Sequence, residues 1–296
     1  MDEMNVPITL RRNDDIVFLS PWLKKSCPDF FGRFTSLLDN LLIEWQFLPA
    51  TNDIWCRDFM PLVLDDNRLL LYRYYPDYLL KKESDKYYIT DGAKVCKEIN
   101  LSFDKTDLVI DGGNMVRAGD YLIMTEKILF ENPQMSTSEV IEEMKRLTNL
   151  KLLLLPWDRV EKFGHSDGIV RCIDSHKVLM TNYSDFDKSF ADEFKRRLLE
   201  HFEVKVLEYN VPHLNSLSWS YINYLEVGNV IIVPALGIPE DRQALSQIKK
   251  VFPHKYVVQI RMEEVVKRGG ALNCITWTLE RQSYIRNRYD SAILRK

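Results

Sequence analysis

The motifs Arg57-Asp58, Asp111-Gly112-Gly113-Asn114, Gly164-His165-Ser166-Asp167, Ser220-Tyr221-Ile222-Asn223 and Gly269-Gly270-Ala271-Leu272-Asn273-Cys274 recur at intervals of roughly 50 to 60 residues. Such a rhythm marks one structural unit repeated five times, and four of the copies carry an acid, a base or a nucleophile. The copies themselves lie far apart in sequence. A ring of equivalent units would nevertheless bring them to one centre, because equivalent loops face a common axis.

Three stretches overlay directly: Tyr121 to Pro156, Lys177 to Tyr209 and Asn229 to Ile260. Each reads strand, loop, helix, strand. Apolar spacing predicts helices over Ser138–Leu147, Phe190–Phe202 and Asp241–Phe252, each opening near an acidic residue and closing near a basic one, as the helix dipole favours. Earlier copies are expected to supply a helix over Phe34–Trp45, another near Gly92–Ile99, and the strand Leu108–Ile110. Lys81 to Lys86 reads as an exposed loop. No linker divides the chain, so residues 1–296 are expected to form a single catalytic domain.

Composition excludes several classes. A hydrophobic fraction of 46%, a charged fraction of 28% and a net charge of -3 describe an ordinary globule with no pull toward nucleic acid or anionic membrane. No window is apolar enough for a transmembrane helix, and Met1-Asp2-Glu3-Met4-Asn5 lacks the basic and apolar regions of a signal peptide. A cytoplasmic protein is expected. The cysteines, Cys27, Cys56, Cys96, Cys172 and Cys274, are odd in number and contain no C-x-x-C pair, so they read as free thiols.

A cysteine, a histidine and several carboxylates can support covalent catalysis by a thiolate or the binding of a metal. Only one histidine motif falls on the rhythm, which argues against a metal. Carboxylates beside a nucleophilic cysteine raise its pKa unless a cation lies between them. A guanidinium fits that place: it is planar, permanently charged, and offers a fork of donors that two carboxylates can grip. Cys274 would attack its central carbon, and His165 would protonate the departing ammonia and later activate water. The products would be a ureido compound and ammonia, with no cofactor.

Trp55-Cys-Arg-Asp-Phe-Met-Pro61, Asp111-Gly-Gly-Asn114, Gly164-His-Ser-Asp167 with Arg171, Ser220-Tyr-Ile-Asn223, the Val230 to Asp241 stretch and Gly269-Gly-Ala-Leu-Asn-Cys-Ile-Thr276 together resemble agmatine deiminases and the related bacterial peptidylarginine deiminases. The resemblance covers nearly the whole chain in order. It implies the pentein fold, a five-bladed α/β propeller of ββαβ repeats with pseudo-fivefold symmetry. It further implies Cys274 as nucleophile, His165 as general acid and base, Asp58 and Asp167 as the guanidinium clamp, and Asp111 as the group orienting His165. Asn223 would lie near the substrate, and Trp55 would wall its alkyl chain. Asp111 stands where the family often has glutamate, and Asn273 where it usually has histidine.

The activity so implied converts agmatine to N-carbamoylputrescine. Arginine, free or within a peptide, is the alternative substrate, and a non-catalytic pentein binding protein is the alternative of another class. The expected partner is a small cationic guanidinium compound, and homo-oligomers are compatible with the sequence.

Overall fold

The computed structural model describes residues 13–64 and 68–293. Within them the chain forms five three-stranded sheets, each with one antiparallel and one parallel strand pair. In the third unit, Val116–Ala118 runs antiparallel to Tyr121–Thr125, helix Thr137–Thr148 crosses over, and Lys151–Leu155 returns parallel to Tyr121–Thr125. The fourth repeats this with Val170–Asp174, Lys177–Met180, helix Lys188–Leu199 and Glu203–Val206. The fifth uses Leu225–Val227, Val230–Ala235, helix Glu240–Val251 and Tyr256–Arg261. The second comprises Leu62–Val63, Leu69–Arg73, helix Gly92–Glu98 and Asp104–Val109.

The central strand of each sheet is buried on both faces. It therefore reads as an unbroken apolar run, such as Val230-Ile231-Ile232-Val233, instead of alternating. Tight hairpins join the antiparallel pairs of the third, fourth and fifth units, and at Val227-Gly228-Asn229-Val230 the turn takes a positive φ of 53° at Gly228. Parallel pairing needs a crossover, which the helices supply. Helix Thr137–Thr148 opens on a reciprocal cap between Ser136 and Glu139 and stops where Asn149 turns left-handed. Helix Lys188–Leu199 is capped by Asp187 and ends beside Arg196 and Arg197.

The first unit departs from the expected pattern. Its helix spans Pro28–Asn40, not Phe34–Trp45: Pro28 starts it, left-handed Leu42 ends it, and Trp45 lies in the strand Glu44–Phe47. That strand pairs with Asp15–Leu19, whose other neighbour is Thr276–Glu280, the strand that follows Cys274. The two ends of the repeat thus share one sheet and close the ring. Elsewhere the helix expected to reach Phe202 stops at Leu199, and the strand expected at Leu108 begins at Asp104. The stretch Lys81–Lys86 is largely exposed as expected, but Glu83–Tyr88 winds into a 3-10 turn.

Closure is well packed. Trp277 is 1% exposed, its ring lies 5.3 Å from that of Phe18, and its indole donates to the carbonyl of Pro61 at 2.9 Å. Trp277→Ala is expected to lower unfolding free energy by roughly 3–5 kcal/mol in urea denaturation; a loss under about 1 kcal/mol would mean that the closing strand contributes little.

Candidate active site

Each of the recurring motifs lies on the connection from the last strand of one unit to the first strand of the next. Hydrogen bonds pass from loop to loop around the ring. Gly113 N donates to Asp58 Oδ1 at 3.1 Å, and His165 Nε2 meets Asp111 Oδ2 at 3.0 Å. Asn223 Nδ2 donates to Asp167 Oδ2 at 3.2 Å, the backbone N of Cys274 donates to Asn223 Oδ1 at 3.3 Å, and the backbone N of Arg57 returns to the carbonyl of Cys274 at 3.0 Å. The fold therefore brings the dispersed residues Asp58, Asp111, His165, Asp167, Asn223 and Cys274 to one place.

The thiol of Cys274 is buried, 3.3 Å from Asn223 Oδ1 and 3.8 Å from Asp167 Oδ2. Burial and the nearby carboxylates of Asp167 and Asp58 push its pKa well above the usual thiol value. The thiol is thereby favoured over the thiolate. Asp58 is also buried, and burial pushes its carboxyl up to about 7 against the pull of His165, with Asp111 and Asp167 adding to the rise. His165 moves the other way. Burial alone would lower it, but the carboxylates of Asp58 and Asp111 prevail and hold the imidazole at about 9. Its Nδ1 lies 3.8 Å from Asp58 Oδ1 on the side opposite Asp111.

Asp111 reaches His165 despite its short side chain, and a residue with no signal in the sequence stands behind it. Lys127 is completely buried; its ammonium lies 3.0 Å from Asp111 Oδ2, 3.1 Å from Glu131 Oε1 and 3.3 Å from Asp77 Oδ1. The ring of Tyr78 lies 4.9 Å from the same ammonium. Burial works to raise the Asp111 pKa, but Lys127 and His165 outweigh it and keep the carboxyl below its ordinary value. Glu131, less well compensated, is pushed by burial and by Asp111 up to about 8. Nothing in the run Thr125-Glu126-Lys127-Ile128 distinguishes this lysine from a surface one.

Asn273 supplies its own contact: Nδ2 donates to Asp167 Oδ2 at 2.6 Å. Both polar ends of the Asn223 side chain are engaged by Asp167 and Cys274, so it orients those groups through protein contacts. Trp55 is half-buried and lines a cavity with Asp58, His165 and Cys274. Glycine at 270 is required there, because a Cβ would lie 2.3 Å from the Trp55 ring. Gly113 is equally constrained: a Cβ would sit 2.4 Å from His165 Nδ1 and 2.9 Å from Asp58 Oδ1. Arg171 does not line the site; its guanidinium lies 4.6 Å from the ring centre of Tyr224. Among the described residues no three His, Cys, Asp or Glu side chains are placed to hold a metal ion, no helix is long and apolar enough to cross a membrane, and all the cysteines are free thiols.

Five ββαβ blades whose connecting loops converge on one centre are the pentein architecture. The profile of the Porphyromonas-type peptidyl-arginine deiminases matches residues 33–279, and the chain belongs to that family. A Lactococcus lactis protein assigned to the agmatine deiminases is 25% identical over 224 residues, a match covering 62% of this chain and 61% of the relative. The solved agmatine deiminase of Enterococcus faecalis superposes with a TM-score of 0.70 at 21% identity, over 90% of this chain and 93% of that one. That of C. jejuni gives 0.72 at 17% identity, again over 90% and 93%.

The Lys127 cluster yields a stability prediction. Lys127→Met leaves Asp111 with His165 alone and takes from Glu131 its ammonium partner, so the folded pKa of each buried carboxyl rises. A group shifted in that direction favours folding at low pH and loses that contribution as pH rises through the folded value. The variant is therefore expected to be destabilised by roughly 3–5 kcal/mol near pH 8 and by much less near pH 5. Urea denaturation at both values decides it; an equal loss at both would show that charge compensation is not the role of Lys127.

Proposed function

We propose that this protein hydrolyses a guanidinium to a ureido group and ammonia through an S-amidino intermediate on Cys274, with agmatine as the substrate. One observation carries the reading: a buried thiol and a histidine that favours its charged form border two cavities at once, with the carboxylate of Asp58 lining one and that of Asp167 the other. A thiol held in its neutral form by anions needs a cation to ionise, and a flat cation gripped by those anions is what the arrangement accommodates.

The steps follow from the geometry. A guanidinium between Asp58 and Asp167 places positive charge beside Sγ, and the thiol gives its proton to solvent water through the open cavity. The thiolate adds to the central carbon of the guanidinium. His165, tied through Nε2 to Asp111, gives a proton to the departing nitrogen from Nδ1, which lies 3.8 Å from Asp58 Oδ1. Ammonia leaves, the neutral imidazole takes a proton from water, and the resulting hydroxide equivalent attacks the amidino carbon. The C–S bond breaks, releasing the ureido product and the thiolate. Asp111 and Lys127 are positioning residues throughout.

The substrate's tail points to a second reading. Asp53 and Asp85 line the cavity beside Trp55 and suit a distal ammonium, but Lys162 and Arg268 line it too and would meet the carboxylate of free arginine. A panel of agmatine, free arginine and a blocked arginyl peptide, scored for ureido product, separates these substrates.

Cys274→Ser is expected to lower turnover by roughly 10³-fold or more while leaving the fold intact by circular dichroism. Retained activity would exclude the sulfur as the attacking atom. In pH terms, Asp58 must be ionised and His165 protonated, so kcat/KM should rise through about 7 and fall through about 9. A profile flat across that interval would contradict the assigned proton carrier.

A further inference from the structure

Two open cavities reach Cys274 and His165, one of about 230 Å³ and the other of about 370 Å³. Phe163 and Gly269 border both as well. Each cavity owns one member of the carboxylate pair: Asp58 lines the smaller, Asp167 the larger. A planar guanidinium gripped by both acids therefore straddles the junction, with one outer nitrogen facing each cavity.

The walls differ in chemistry. Charged groups line the smaller cavity, Asp53, Asp85, Lys162 and Arg268 among them, which suits the polar end of a substrate tail. The larger also has charged groups, Asp158, Glu161 and Lys267, but adds an apolar wall of Ile169, Phe186, Leu217, Trp219 and Val266. Departing ammonia or incoming water occupies about 30 Å³, an order of magnitude less than the space on the Asp167 side. That space is large enough, and apolar enough, to hold an alkyl group attached to the leaving nitrogen.

We propose that the protein also hydrolyses guanidines alkylated on the leaving nitrogen, seating an apolar substituent in the larger cavity and releasing an alkylamine in place of ammonia. This rests on the guanidinium reading above. The bond changes are the same: the S–C bond forms as the bond from carbon to the alkylated nitrogen breaks, and the departing amine takes its proton from His165. Water then adds to the amidino carbon, gives a proton to His165, and the C–S bond breaks. The ureido product is identical to that from the unsubstituted guanidine, because the alkyl group leaves with the amine.

The test uses the full chain with agmatine and arginine, each unsubstituted and each carrying a methyl or n-propyl group on the terminal guanidine nitrogen. Ureido product is measured colorimetrically and released amine by mass spectrometry. Methylamine and propylamine should appear in equal amounts to ureido product, with kcat/KM within tenfold of the parent guanidine and rising up to roughly fourfold per added methylene as it enters the apolar space. Ser216 is exposed at the larger cavity. Ser216→Trp should cut turnover of the propyl substrates at least tenfold and leave the unsubstituted parent within twofold. Hydrolysis of the parent alone, or ammonia release with the alkyl group retained in the product, overturns the proposal. So does equal loss of both substrates in S216W, which would put the tail in the larger cavity. If no guanidine of any kind is hydrolysed, the parent reading fails and this one fails with it.

Discussion

Crowding carboxylates into the dry centre of a protein beside a thiol is costly, and the rest of the site is arranged around meeting that cost. Each acid is met differently. Asp58 has a backbone N–H from Gly113, Asp167 has the amides of Asn223 and Asn273, and Asp111 has Lys127 and His165. The compensation is incomplete where a ligand would bind, since Asp58 and Cys274 are both held toward their neutral forms, and more complete behind His165, where Asp111 stays below its ordinary pKa. This asymmetry distinguishes the groups available to a cation from the group that fixes the imidazole.

Repetition was the legible part of the fold. The motifs could be found because each unit places its connecting loop at the same point, and the helices of the later units followed from apolar spacing with ends displaced by only a few residues. The first unit was harder to read for a physical reason: its sheet takes one strand from the far end of the chain, so no continuous segment contains the pattern. Its helix was accordingly expected over Phe34–Trp45, where the run Leu41-Leu42-Ile43 looks helical, although Leu42 takes a left-handed turn.

At the site, polar residues on the rhythm were visible and those off it were not. Lys127 lies outside every motif, and its burial follows from tertiary placement against Asp77, Asp111 and Glu131. Asn273 was legible as a departure from a family pattern, but its bond to Asp167 depends on how the loop turns. The two cavities that meet at Cys274 and His165 are lined by loops whose course no periodicity encodes.

Ring closure also governs the order of events during folding. Cys274 lies two residues before Thr276–Glu280, which pairs with Asp15–Leu19 from the opposite end of the described chain. Contacts between such distant segments form late, because bringing them together carries the largest loss of chain entropy. The position of the sulfur beside Asp167 therefore depends on that long-range closure as well as on the loop that carries it. Maturation of the centre is thereby tied to completion of the whole ring.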